Sequence, residues 1–262
     1  MIKNSRAVIV LILIAAVTAS AKVTTPAELI SAMHAKYAGK WYKTLVFAQN
    51  TTSFRTDGTV KKELWYEAMS LPGKLRIDFD PPASRSGVLY TAATNYSFTE
   101  GKLVNSDRID HPLLILGFDV YRQPVESTLE QLRRLKIDMG VLREDKWRGR
   151  TVYVVGAKKG DLKSPQFWID KKRLYFVRMI QPGGRDGSGV QETEFNRYEK
   201  TGGGWVASEV VFIFNGRRIL LEEYVNVRAD VVLDEGLFDP EKWATQDLGY
   251  IGRYLASETR LR

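Results

Sequence analysis

The sequence predicts a mainly β protein, an antiparallel unclosed (half) β-barrel of about eleven strands covered by helices. Three observations carry this expectation. Runs rich in Val, Thr, Tyr and Phe alternate apolar with polar positions, and short turn signals join them. Apolar helical segments stand at the front and in the middle of the chain rather than between strands. A meander of this kind curves strongly, and its concave apolar face must be covered, which leaves the helices as the lid.

Residues 1–21 read as a cleavable signal peptide. Lys3 and Arg6 form a basic start, and Ala7 to Val17 is an apolar run of about eleven residues, half of what a spanning helix needs. Ala19-Ser20-Ala21 offers small residues to a signal peptidase, so the expected cut follows Ala21 and the expected location is the periplasm. The chain has no cysteine. Acylation at a lipobox, disulfides and thiolate metal sites are therefore excluded, and the core alone must hold the fold. Loss of Lys3 and Arg6 lowers the formal charge from +8 to +6. The remaining basic residues are spread among acids with no arginine stripe, which argues against nucleic acid.

The elements follow in order. Pro26 to Tyr37 is a helix with Leu29, Ile30, Met33 and Tyr37 at helical spacing, a Thr24 or Thr25 cap and Gly39 at its end. Strands run from Thr44 to Phe54 and from Val60 to Met69, joined by the Asp57-Gly58 turn. In the second, Leu64, Tyr66 and Ala68 lie on one side and Lys61, Glu63 and Glu67 on the other. From Lys74 to Asp80, Leu75, Ile77 and Phe79 face inward and Lys74, Arg76, Asp78 and Asp80 face water. Short strands follow at Gly87 to Ala92, Asn95 to Thr99 and Lys102 to Val104. Pro112 to Tyr121 is a compact apolar segment, and Pro124 to Leu135 an amphipathic helix. Strands resume at Leu142 and continue to Val227, with Asn215-Gly216 the strongest hairpin signal. Pro182 to Gly189 is expected to be a mobile loop, Val232 to Trp243 a closing segment, and residues 244–262 a polar tail, frayed or weakly helical. Residues 22–243 are thus expected to form one domain.

These motifs, in this order, resemble the periplasmic lipoprotein-carrier family, the LolA/LolB-like outer-membrane lipoprotein-sorting proteins. The residues that carry the resemblance are Phe47-Ala48-Gln49, the Asp57-Gly58 hairpin, Leu71-Pro72-Gly73-Lys74-Leu75-Arg76-Ile77, Val88 to Phe98, Gly101-Lys102, Pro112 to Phe118 and Leu237-Phe238-Asp239-Pro240. The resemblance implies an unclosed barrel with a helical lid and an apolar cavity for acyl chains, with Leu75 on the cavity wall. It also implies an arginine before the proline that helps to hold the lid shut. Leu71 stands there instead, so the opening cycle departs from the family's.

Chemistry on side chains finds little support. His34 reads as a surface or boundary residue and His111 as a cap or flank of the lid helix, so no transition-metal site is expected. The glycine-rich run from Gly183 to Gly189 precedes no helix that would present amides to a phosphate. Asp78, Asp80, Glu192 and Glu194 would serve a glycosidase if they faced one another across a cleft, but alternating acids usually mark a wet strand face. The expectation is a non-enzymatic carrier or binding protein without a cofactor. Its apolar cavity and lid would comprise Phe47, Tyr66, Leu75, Ile77, Phe79, Leu113, Leu114, Leu116, Phe118, Phe212 and Phe214. The expected partners are a lipid or lipoprotein acyl chains, with inner- or outer-membrane complexes as exchange points. The alternatives are an interaction or sensor module with a packed interior and, further off, a carboxylate hydrolase.

Overall fold

The computed structural model describes residues 23–184 and 186–255. The expected signal peptide lies outside them. Helix α1 (Pro26–Tyr37) is held at its start by a capping box, in which the Thr25 side chain accepts from the Glu28 amide and Glu28 reaches back. Six strands follow as a meander: β1 (Thr44–Phe54), β2 (Val60–Ser70), β3 (Lys74–Phe79), β4 (Gly87–Thr91), β5 (Thr94–Thr99) and β6 (Lys102–Arg108). Next come α2 (Pro112–Gly117), a single 3-10 turn (Asp119–Tyr121) and α3 (Val125–Arg134). Seven more strands complete a second meander: β7 (Leu142–Trp147), β8 (Arg150–Val155), β9 (Gln166–Asp170), β10 (Phe176–Gly183), β11 (Gly189–Thr201), β12 (Gly204–Phe214) and β13 (Arg217–Ala229).

All thirteen strands belong to one antiparallel sheet, in the order β6-β5-β4-β3-β2-β1-β13-β12-β11-β10-β9-β8-β7. The expectation of about eleven strands falls two short. The β1–β13 ladder joins the two meanders, and β6 and β7 remain as separate edges, so the sheet does not close. Both edges are guarded by charge, with Lys102, Asp107 and Arg108 on β6 and Arg143, Glu144, Asp145 and Lys146 on β7. At the Asn215-Gly216 turn both residues have positive φ, +48° and +77°, as a tight twisted hairpin requires.

The concave face is packed against the helices. Leu29, Ile30 and Met33 of α1, Leu114 to Leu116 of α2 and Leu132 of α3 bury into one cluster with Leu45, Phe47, Met69, Leu75, Phe176 and Phe195 of the sheet. An aromatic group ties α1 to the turn after α2. The Trp41 and Tyr121 rings stack at 3.7 Å, and Tyr37 meets both edge-on.

The convex face departs from expectation. On the side of β3 assigned to water, Asp80 is exposed and Lys74 half-buried, but Arg76 is fully buried and Asp78 only 1% exposed. Arg76 makes a bidentate pair with Asp78 (2.8 and 2.9 Å), donates to the Leu237 carbonyl and lies 3.9 Å from the Trp243 ring centroid. The cover is the C-terminal segment. Leu237, Phe238, Trp243, Tyr250 and Leu255 pack with Val46, Ala48, Leu64, Tyr66, Ala68, Leu89 and Phe98 in a second cluster. The tail expected to be frayed or weakly helical does carry a helical turn at Ile251–Leu255, but it is docked, and the Tyr250 hydroxyl donates to Asp78 at 2.8 Å. Residues 256–262 lie outside the described residues.

Removing one partner of a buried ion pair strands the other. Arg76→Met should therefore lower stability by about 3–5 kcal/mol in urea unfolding, and adding Asp78→Leu should restore most of the loss.

Candidate lid and cavity

The geometry of β2 and β3 decides which side chains face the lid. In the β1–β2–β3 register, Phe47 lies opposite Glu67 and Glu67 opposite Ile77, while Met69 pairs with Leu75 and Trp65 with Phe79. This set shares the concave face. Tyr66 belongs to the other set, opposite Ala48 and Asp78. The inward assignment of Tyr66 is thus corrected. The residue packs under the C-terminal segment, and its hydroxyl lies 3.3 Å from Asp80 Oδ1. The error was in which half of the alternation to bury. Trp65 and Met69 flank Glu67 on its own side, and these two large apolar residues were the available sign that Glu67 points inward.

Between this face and α2 lies a cavity of about 120 Å³. Leu75 and Ile77 of β3, Leu113, Leu114 and Phe118 of the lid, and Phe212 of β12 line it, all six named from the sequence. The other expected wall residues lie elsewhere. Phe47 is buried beneath, stacked at 4.1 Å on Tyr224, which does line the cavity. Leu116 faces the core, fully buried. Phe79 packs on Trp65 at 4.9 Å. Phe214 lies beyond, against Gly183 and Gly189 at the glycine-rich turn.

Two devices set the lid. His111 caps α2, its Nδ1 accepting from the Leu114 amide at 3.1 Å, which matches its expected role; burial pushes its pKa down to about 4, so the ring is neutral. Gly117 lets the lid come close, since a Cβ there would lie 3.0 Å from the Phe195 ring. The turn after Pro72 is tied to the lid as well. Asp119, just past α2, accepts the Gly73 amide at 2.9 Å. A carboxyl on the lid thus makes the polar link at this turn. Leu71 itself is buried in the core below the lid.

The cavity also holds two acids that the sequence reading placed outside it or passed over. Glu67 is 4% exposed, and among the described residues it has no hydrogen-bond or ion-pair partner. Burial, then the charge of Glu222, push its pKa well above the ordinary carboxylate value. Glu222 accepts from the Tyr224 hydroxyl at 3.1 Å, and burial raises its pKa to about 7. The four acids considered for hydrolysis fall into two separate places, Asp78 and Asp80 at the end of β3, with Asp80 beside the Tyr66 hydroxyl, and Glu192 and Glu194 as neighbours on β11. Asp78 is paired with Arg76 on the convex face, and Glu192 and Glu194 pair with Arg178 and Arg148. Among the described residues no group of His, Asp or Glu is arranged to hold a metal ion.

Comparison with known proteins now bears on this geometry. No protein-family model matches the chain, and no curated protein matches it in sequence. Solved structures do. A candidate outer membrane lipoprotein-sorting protein domain from Vibrio parahaemolyticus superposes with a TM-score of 0.58 at 14% identity, covering 83% of this chain and 97% of that one. The chain has the fold of that lipoprotein-sorting domain. A DUF1329 family protein from Desulfovibrio piger gives 0.55 at 18% identity, covering 81% and 95%. A LolA superfamily protein from Nitrosomonas europaea gives 0.49 at 10% identity, covering 82% and 98%. The unclosed barrel with a helical lid, expected from the sequence, is therefore the observed architecture, shared with that lipoprotein-sorting domain.

Burial raises the pKa of Asp119 from 3.8 to about 7, against the lowering effect of the Gly73 amide. A carboxyl raised on folding adds stability below its unfolded pKa and loses it as pH rises through the folded one. The contribution of Asp119 to the melting temperature should therefore fall between about pH 4 and pH 8, opposing that of His111, whose lowered pKa adds stability as pH rises from about 4 to 6.5. Asp119→Asn, which keeps an acceptor for Gly73, should flatten that slope by about 1 kcal/mol or more when both proteins are melted across this range.

Proposed function

We propose that this protein is a periplasmic carrier or binding protein that holds a lipid, lipoprotein acyl chains or a similar apolar ligand without covalent chemistry. The observation that carries this reading is the cavity between Leu75, Ile77 and Phe212 of the sheet and Leu113, Leu114 and Phe118 of the lid, on the fold of a lipoprotein-sorting domain. Supporting it, no described helix is long and apolar enough to cross a membrane.

The size of the cavity argues for a moving lid. At about 120 Å³ it is close to the engineered cavity of 150 Å³ that admits benzene, and below the roughly 300–1,000 Å³ of ordinary ligand pockets. An acyl chain would enter by displacing α2, a six-residue helix whose polar ties to the sheet include the Asp119 link. Each methylene transferred from water contributes roughly 0.8 kcal/mol, so part of a chain offsets the cost of association. Release would follow when a membrane complex or the outer membrane itself takes the chain.

A second reading rests on the other half of the interior. Beneath β8 to β11, Tyr153, Val155, Phe167, Phe176 and Phe195 are all buried, a filled barrel of the kind an interaction or sensor module would have. The cavity does not favour a hydrolase, because its two acids stand among apolar walls with few groups to meet sugar hydroxyls.

Native mass spectrometry of the exported protein, followed by organic extraction, separates the first two readings. A carrier should release lipid or acylated peptide, and Leu114→Glu, placing a charge on the cavity wall, should lower the bound amount at least tenfold while the circular dichroism spectrum is kept. A protein that carries nothing and takes up no fluorescent fatty acid or alcohol would be the packed module.

A further inference from the structure

A greasy cavity does not need carboxyl groups. Glu67 and Glu222 enter it from β2 and β13, the two strands that flank β1. Glu67 is the unusual one, a buried side chain aimed into the cavity with no partner among the described residues. In either protonation state it is unsatisfied, since the carboxylate has no counter-charge and the acid form no acceptor. The isosteric Gln would avoid the charge, and Leu would fill the space.

The titratable groups around Glu67 supply no cation. Glu222 and Tyr224 face it from β13 and Tyr90 from β4, and His111 stands at the head of α2, neutral and with Nδ1 committed to the cap. Among the described residues no lysine or arginine lines the cavity. The walls are instead aromatic, with Trp65, Phe118, Phe195, Phe212 and Tyr224 around the two acids. Acids set among ring faces suit an ammonium, which gains both a charge-assisted hydrogen bond and cation–π attraction. The same arrangement repels the carboxylate of a free fatty acid.

We propose that the cavity selects an apolar chain ending in a protonated amine, with the ammonium bonded to Glu67, drawn further by Glu222, and the chain lying against Leu75, Ile77, Leu114 and Phe118. The inference rests on the carrier reading and narrows its ligand class. The indole N–H of Trp65, on the same face two residues from Glu67, is also without a partner among the described residues. Because Glu67 and Glu222 hold their protons more tightly than free carboxyls, taking up an ammonium releases a proton, and affinity rises with pH until the amine itself titrates.

The test is isothermal titration of the purified protein with dodecylamine, dodecanol and dodecanoate, each below its micelle concentration, at pH 6.5 and 8. Dodecylamine should bind at least tenfold more tightly than dodecanol at pH 8, its affinity should rise at least threefold between the two pH values, and dodecanoate should bind weakest. Glu67→Gln should bring the amine-to-alcohol ratio within about threefold, and Glu222→Gln should lower it by a smaller factor. Dodecanoate binding as well as the amine, or an amine preference that survives Glu67→Gln in a folded variant, would overturn the head-group selection and leave the carrier reading standing. Failure of all three ligands to bind would overturn both.

Discussion

The structure depends on the pairing of β1 with β13. These strands are far apart in sequence, and their ladder, from Leu45–Ala229 to Ser53–Leu220, turns two separate meanders into one sheet of thirteen strands. Without it each half would expose an edge at its centre and neither would curve around the helices. Its register also sets the site. It places Tyr224 opposite Gln49 and Glu222 opposite Thr51, on the face where β2 presents Glu67. The acids of the cavity are neighbours only because the first and last strands meet.

A sheet of this breadth that does not close has two faces to cover. The chain covers the concave one from its front and middle, with α1, α2 and α3, and the convex one from its end. Away from the cavity the concave cover too is tied by directional bonds, from the Tyr37 and Tyr121 hydroxyls to the Arg173 and Leu174 carbonyls, and the two covers differ at α2. The convex cover locks through directional contacts. The Arg76–Asp78 pair, the Trp243 ring stacked at 4.3 Å on Phe98, and the Trp243 indole N–H on the Arg85 carbonyl are each specific in geometry. The concave cover over the cavity is chiefly apolar side chains on a short helix. Apolar contacts tolerate sliding more readily than a bidentate ion pair does, which makes the lid the side of the sheet suited to opening.

This division explains how charge is used. Arg76 and Asp78 are buried in full, yet they satisfy each other, and their role is structural. Glu67 is buried without a partner among the described residues, on the opposite face of the same part of the sheet. A chain that pairs one set of buried charges so completely and leaves another open on the opposite face fits the proposed role of Glu67 as a ligand contact.

The sequence by itself determined the elements and their order. The limits of α1, the capping role of His111, the Asn215-Gly216 hairpin and the alternation of β3 are local properties, set by capping, turn conformation and side-chain period, and each was readable within a few residues. It also pointed to six of the cavity's lining residues, because large apolar residues on a lid helix and on one strand face have few other places to go. Only the tertiary structure decided which face of β2 was interior, that Arg76 and Asp78 in the middle of β3 were dry, and that the C-terminal stretch was a cover and not a fringe. Alternation gives two sides without naming the inner one when both are to be buried, and a buried ion pair reads in sequence like two residues in water. The position of Glu67 inside the cavity follows from the same ambiguity, resolved by strands that lie more than a hundred residues apart in the chain.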